Sequence, residues 1–259
     1  MAGRRGGGFV LKTIDKALDV LEAFTSDRPE WGVTELGHHL GWDKSVAQRV
    51  LATLEARGYV ARSARTRRYR LGLSVLGLAD VVTRTLDIRE ASREGMVDLV
   101  GETGESALLT VVAGDETVCV DALDGPRAIK YSTRVGMRIP PHVGAGSKVL
   151  FAFRPAEEIE AMLYDRELEA FTDGTIVDKG ELLEEYARIR ERGVAVSFGE
   201  MNSEVGAIGF PLRNRRGDVV AAVTVVGPRE RIVREQGWLE RTLRTVGGRI
   251  SAGLAAGGE

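Results

Sequence analysis

The chain has 259 residues, 43% of them hydrophobic and 29% charged, with a formal net charge of −2. That length allows one large or two smaller domains with real cores, and the longest apolar runs, such as Val219 to Gly227, are far short of a membrane span. Cys119 is the only cysteine, which excludes an intrachain disulfide and fits a reducing cytoplasm, and His38, His39 and His142 are too few and badly spaced for a His/Cys metal site. The charge is uneven. Residues 1–72 carry 13 Lys/Arg against 8 Asp/Glu, and the remainder 23 against 30. A basic module on an acidic body places the polyanion-facing surface in the first segment. No signal peptide is visible behind MAGRRGGGF. Residues 1–9 are expected to be a disordered tail, with a phosphate-contacting arm as the lesser reading.

From Thr13 to Phe24, Ile14, Ala17, Leu18, Leu21 and Phe24 recur at helical spacing, and Thr13 is the expected cap. A polar loop with Pro29 follows. Thr34 is expected to cap a short helix that buries Leu36 and Leu40. After Gly41 and Trp42, Asp43 to Arg57 reads as a helix capped by Asp43, with Val46, Val50, Leu51 and Leu54 buried and Lys44, Ser45, Gln48, Arg49 and Thr53 outside. Helix, short helix, turn and helix make a helix-turn-helix with its last helix in the reading position. From Tyr59 to Leu71, two extended runs flank Ala64–Thr66 as a hairpin wing. Five arginines (62, 65, 67, 68 and 70) crowd into it, which favours phosphate or minor-groove contact over a merely solvated loop.

Gly72 to about Thr85 is apolar on several sides (Leu73, Leu76, Leu78, Val81, Val82). Such a helix must be buried, most simply against the same helix of a second chain. An amphipathic helix follows from Asp87 to Glu102. Strands are expected at Ala107–Ala113, Thr117–Leu123, Ala128–Thr133, Val194–Phe198, Ala207–Leu212 and Val219–Val226. Helices are expected from Gly144 to Phe153, after Pro155, from Lys179 to Arg192 and from about Glu230 to Leu254. Strands in one sheet with helices packed over it make an α+β, sensor-like domain.

Three stretches in this order resemble the IclR family of bacterial transcriptional regulators: KSVAQRVLATLEARGYV followed by YRLG, then PPHVGAGSKVLFAF, then IRERGVAVSFGE through VGAIGFPLRNRRGDVVAAVTVVGP. The resemblance covers about Thr13 to Leu254. It implies a winged helix-turn-helix DNA-binding domain (10–72), a dimerising linker helix (73–87) and a C-terminal effector-binding domain similar to GAF and PAS sensors (88–259). It further implies a cytoplasmic regulator, a repressor in the first reading, acting as a dimer or dimer of dimers. The chain departs from the family pattern at Gly37 and His39, where small helix formers are usual, and at Ser147, Phe210 and Val226.

For DNA, the expected contacts are Lys44, Ser45, Gln48 and Arg49 in the major groove, where Gln can pair with adenine and Arg with guanine. Arg65, Arg67 and Arg68 are expected in the wing. A two-fold dimer implies a near-palindromic double-stranded operator. For the effector, a small carboxylate by resemblance, the matching positions are Gly144, Ala145, Ser197, Ala207, Thr224 and Val226, with Tyr131 and Arg134 as further lining. Free backbone N–H groups before a helix can hold a carboxylate without a cationic side chain. GAGSKVL lacks the spacing of a P-loop. No nucleophile elbow is present, Cys119 reads as a buried thiol, and Glu200 and Glu204 read as solvated loop acids. No catalytic residue, metal or cofactor is therefore expected. The competing reading is a metabolite-binding or catalytic domain whose winged helix serves protein contacts; the Arg-rich wing would then need an acidic partner.

Overall fold

The structure, a computed structural model, describes residues 11–25, 27–84 and 87–256, without the side chains of 80, 82–84 and 87. The tail read at 1–9 and the side chain of Val82 lie outside the described residues. The chain divides into two compact units, Met1–Thr85 and Leu86–Glu259, so the linker helix belongs with the first.

In the first unit, α1 (Lys12–Glu22), α2 (Val33–Leu40) and α3 (Lys44–Ala56) precede a hairpin of β1 (Val60–Arg62) and β2 (Tyr69–Leu71), and α4 (Ser74–Arg84) follows. Val20, Trp31, Leu36, Leu51, Leu54, Val60 and Tyr69 form the core. The backbones of Trp31 and Tyr69 exchange both of their hydrogen bonds, at 2.9 and 2.8 Å, which fastens the wing to the loop before α2. All three expected side-chain caps are corrected. Thr13 and Thr34 lie inside their helices, behind Leu11 and Gly32. Asp43 is the N-cap of α3, but its side chain makes no capping bond; its backbone carbonyl takes the Val46 N–H instead. At α2 the missing acceptor comes from Glu35, whose carboxylate reaches back to the Gly32 N–H at 3.3 Å.

The buried stripe of α3 is Ala47, Leu51 and Leu54, with Val46 and Val50 only half-buried. The helix is thus turned slightly from the expected phase. Gly37 is a departure with a structural use. A Cβ there would stand 3.0 Å from the Trp42 carbonyl and 3.7 Å from Ala47 Cβ, so the missing side chain lets α2 close on α3.

In the second unit, β3 (Ser106–Ala113), β4 (Glu116–Leu123), β5 (Arg138–Ile139), β6 (Ala195–Phe198), β7 (Val205–Arg213) and β8 (Val219–Pro228) form one antiparallel sheet in the order β5-β4-β3-β8-β7-β6. Period-two alternation sends its side chains to two cores. On one face Leu109, Ile208, Val223 and Val225 meet α5 (Asp87–Thr103) and α9 (Arg229–Ala256) through Met96, Leu99, Leu243 and Val246. On the other, Leu108, Ala207, Ala222 and Val226 meet α6 (Ala145–Ala152), α7 (Ala156–Leu163) and α8 (Lys179–Arg192). The expected strand at Ala128–Thr133 does not form. Side chains satisfy that segment instead of a ladder: Arg231 donates to the Ile129 carbonyl, while Lys130 and Ser132 bind Asp124. The edge strand beside β4 is instead β5, paired through Thr117 and Val118.

Candidate functional site

The polar face of α3 is continuous. Lys44, Ser45, Gln48, Arg49 and Thr53 are all exposed, and Thr53 Oγ1 donates to the Arg49 carbonyl at 3.0 Å. The wing arginines divide by role. Arg65 and Arg67 are exposed at its tip, where Arg67 holds a left-handed φ of 61°, a conformation that costs a non-glycine residue about 1 kcal/mol. Arg68 points inward, 2.7 Å from the Glu35 carboxylate and 3.2 Å from the Glu30 carbonyl. The guanidinium of Arg62 lies over the Tyr69 ring at 5.5 Å and donates to the Arg67 carbonyl. Glu35, bound by the Gly32 N–H and by Arg28 and Arg68, has its pKa lowered.

In the second unit, a cavity open to solvent lies between the sheet and the head of α6. Strand register assembles its floor: Ser197 pairs with Ala207, Ala207 with Val226, and Thr224 with Gly209 and Leu108. Gly144, Ala145, Ser197, Ala207, Thr224 and Val226 all line the cavity, as does Tyr131, whereas Arg134 is not among the lining residues. Close approach of α6 makes the site possible. A Cβ at Gly209 would come within 2.7 Å of the Ala145 carbonyl, and one at Gly146 within 2.6 Å of Thr224 Oγ1. Thr224 Oγ1 is buried and has no hydrogen-bond partner, and unsatisfied buried hydroxyls are uncommon enough to mark a place for a ligand or water. Ser147 donates to the Pro140 carbonyl at 2.8 Å, tying the preceding loop to α6. Phe210 faces the other way, since a Cβ on Gly247 of α9 would meet its ring at 2.4 Å. Its departure from the family pattern therefore bears on packing against α9.

Sequence reasoning missed Thr110, Met137 and, above all, Glu200. Read as a solvated acid, Glu200 is only 7% exposed, and Glu204 alone of that pair lies on the surface. One Glu200 oxygen accepts the Gly144 N–H at 2.8 Å and the other binds Lys148 Nζ. Lys148 is itself 1% exposed, and its remaining bonds go to the Val196 carbonyl at 3.0 Å and Glu185 at 3.2 Å. The signal was present in the apolar run VGAGSKVLFAF, because a cation inside such a helix needs an acid partner elsewhere.

Cys119 is buried, which pushes its thiol up to about 11 and leaves it a poor nucleophile. His142 is buried too, with Nε2 2.9 Å from the Glu169 carbonyl and its pKa lowered by desolvation. Among the described residues, no group of three or more His, Cys, Asp or Glu is placed to hold a metal ion, and no helix is long and apolar enough to cross a membrane.

Residues 13–64 match the IclR helix-turn-helix domain and residues 80–252 the C-terminal domain of bacterial IclR transcriptional regulators. The chain is 31% identical over 225 residues to the HTH-type transcriptional regulator KipR of Bacillus subtilis, covering 87% of this chain and 89% of that one. It is 28% identical to XynR of Escherichia coli, over 83% and 86% of the two chains. Among solved structures it resembles the Thermotoga maritima IclR (TM-score 0.74, 28% identity, covering 95% and 99%). It also shares the fold of an IclR homolog from Microbacterium hydrocarbonoxydans complexed with 4-hydroxybenzoate (TM-score 0.80, 24% identity, covering 93% and 98%). With both units matched in order along one chain, the protein belongs to the IclR family of bacterial transcriptional regulators.

Proposed function

We propose that this regulator acts as a cytoplasmic repressor in a dimer or dimer of dimers, and that a small molecule in the cavity behind α6 sets its affinity for a near-palindromic operator. The exposed polar face of α3 carries the reading. Its apolar side is spent on the core, and Lys44, Ser45, Gln48 and Arg49 are left facing solvent at the start of the helix, where base edges and phosphates are reached. Arg65 and Arg67 add phosphate contacts from the wing. In the cavity, the unpartnered Thr224 hydroxyl and Ser197 supply polar contacts above an apolar floor. The ligand of the Microbacterium hydrocarbonoxydans homolog and the family resemblance make a small carboxylate the first class to try. Control of DNA binding requires the ligand to favour one of two arrangements of the dimer, since equal affinity for both would shift nothing.

The test is a gel shift on the protein's own upstream region across a salt series. Unmodified protein should bind selectively, with affinity falling steeply as salt rises. Arg49→Glu should abolish the shift while circular dichroism and sedimentation stay unchanged. Undiminished binding by that variant would remove α3 from the interface.

A further inference from the structure

Resting on the reading of the cavity behind α6 as the effector site, we propose that Ala207 and Val226 are its specificity-determining residues. They select a small carboxylate with a compact hydrocarbon body over a polyhydroxylated acid of the same carbon skeleton.

Strand register divides the cavity floor into two rows. Gly209, Thr224 and Leu108 form the first, across β7, β8 and β3. It lies under the head of α6, where Gly209 meets the Ala145 carbonyl and Thr224 Oγ1 meets Gly146. The N–H groups of Ala145, Gly146 and Ser147 open the helix above this row, and an acid group docks there without a cationic side chain. The second row lies two residues along each strand, on the same face of the sheet and roughly 7 Å away. It runs Ser197, Ala207 and Val226 across β6, β7 and β8. A ligand held by its carboxylate over the first row lays its body on the second.

The second row offers that body little but carbon. Ala207 and Val226 line the cavity there, with Met137, Ile139 and Met201 among its other walls. Polar groups of the lining are largely spent within the protein. Thr133 Oγ1 donates to Met137 Sδ at 3.1 Å, and Ser147 Oγ donates to the Pro140 carbonyl at 2.8 Å. Asn202 Oδ1 accepts the Glu204 N–H at 3.0 Å, and the Glu200 oxygens hold the Gly144 N–H and Lys148. Thr224 serves the carboxylate end, and Ser197 can serve one polar group of the body. An acid with a hydroxyl on every carbon brings more donors and acceptors than these can match. Each one left unserved gives up its water for nothing, at a cost of about tenfold or more in affinity. A hydrocarbon body instead gains by leaving water, and the flexible thioethers of Met137 and Met201 adapt to its shape.

The experiment is isothermal titration calorimetry of the full chain with acids matched in carbon skeleton and charge: cyclohexanecarboxylate and quinate, hexanoate and gluconate, butyrate and threonate. At least one hydrocarbon acid should bind, and its hydroxylated partner should bind about a hundredfold weaker or not at all. Val226→Thr keeps the side-chain shape and adds a hydroxyl to the second row, so it should narrow that gap about tenfold. A hydroxylated acid that binds the unmodified protein as tightly as its hydrocarbon partner overturns the proposal, whether or not Val226→Thr folds. An unchanged gap in a folded Val226→Thr also overturns it, as does failure of every hydrocarbon acid to bind. Ala207→Leu fills the second row and, with circular dichroism unchanged, should abolish binding. Full-strength binding to that variant puts the ligand elsewhere, and the effector-site reading falls together with the proposal. Loss of binding in Ala207→Leu, with equal affinities inside each pair for the unmodified protein, removes the proposal alone and leaves the effector site standing.

Discussion

At the scale of single residues, the groups hardest to foresee were polar ones whose burial depends on distant chain. Glu200 looks like any loop acid in sequence, and only the fold brings Lys148, 52 positions away, to its side chain. His142 is a second case. Its Nδ1 is buried without a partner and its Nε2 is spent on the Glu169 carbonyl, so desolvation lowers its pKa below 6.5. The unfolded chain thus takes up a proton at a higher pH than the folded one. The stability associated with neutral His142 is complete above about pH 6.5 and is lost as pH falls from there through the folded pKa. Urea midpoints measured from pH 7.5 down to 5.5 should decline in the unmodified protein, and His142→Gln should flatten the decline. His38 and His39 are exposed and remain in both proteins. An identical decline in the variant would assign the proton to another group.

At the scale of elements, periodicity was a good guide where one face is buried and the other wet. The helices α1 to α3 and most strands of the large sheet could be read directly. It failed at Ala128–Thr133, where β-prone residues are held by Asp124 and Arg231 rather than by a neighbouring strand. Caps were misplaced because hydroxyl and carboxylate side chains near a helix start need not bond to it; at α2 the acceptor is Glu35, inside the helix. The six effector positions come from resemblance alone; Ser197, Ala207, Thr224 and Val226 are brought together by strand register and Gly144 and Ala145 by the head of α6 packing on that sheet, which a sequence shows only once strand pairing is known. The wing gives the element-scale prediction. Five arginines look equivalent in sequence, but Arg68 is tied to Glu35 while Arg65 is exposed at the tip. Arg65→Ala should leave the thermal midpoint unchanged, weaken operator binding and reduce the salt slope by about 1. Arg68→Ala should lose at most about 1 kcal/mol of stability, because its ion pair is half-exposed and screened, and should also weaken binding through a loosened wing. Full affinity of Arg65→Ala at every salt concentration would return the wing tip to the role of a solvated loop.

At the scale of the whole molecule, the unresolved demand of this chain is the covering of its linker. Leu73, Leu76, Leu78 and Val81 are 82, 65, 55 and 62% exposed. At about 100° per residue they spread over roughly 200° of helical arc, too much apolar surface for an isolated connector in water. In the proposed dimer a second copy would supply the cover, and the same contact would set two α3 helices on a single operator. Such an arrangement would make DNA affinity depend on association, because two half-sites bound by one particle gain the effective concentration that separate monomers lack. Leu76→Glu combined with Val81→Glu should therefore shift sedimentation velocity from oligomer to monomer at micromolar concentration. It should weaken operator binding far more than binding to an isolated half-site, and it should leave ligand binding in the cavity unchanged. Sedimentation of the unmodified chain as a monomer at those concentrations would show that the linker is covered in some other way, and the two-fold operator would lose its physical basis.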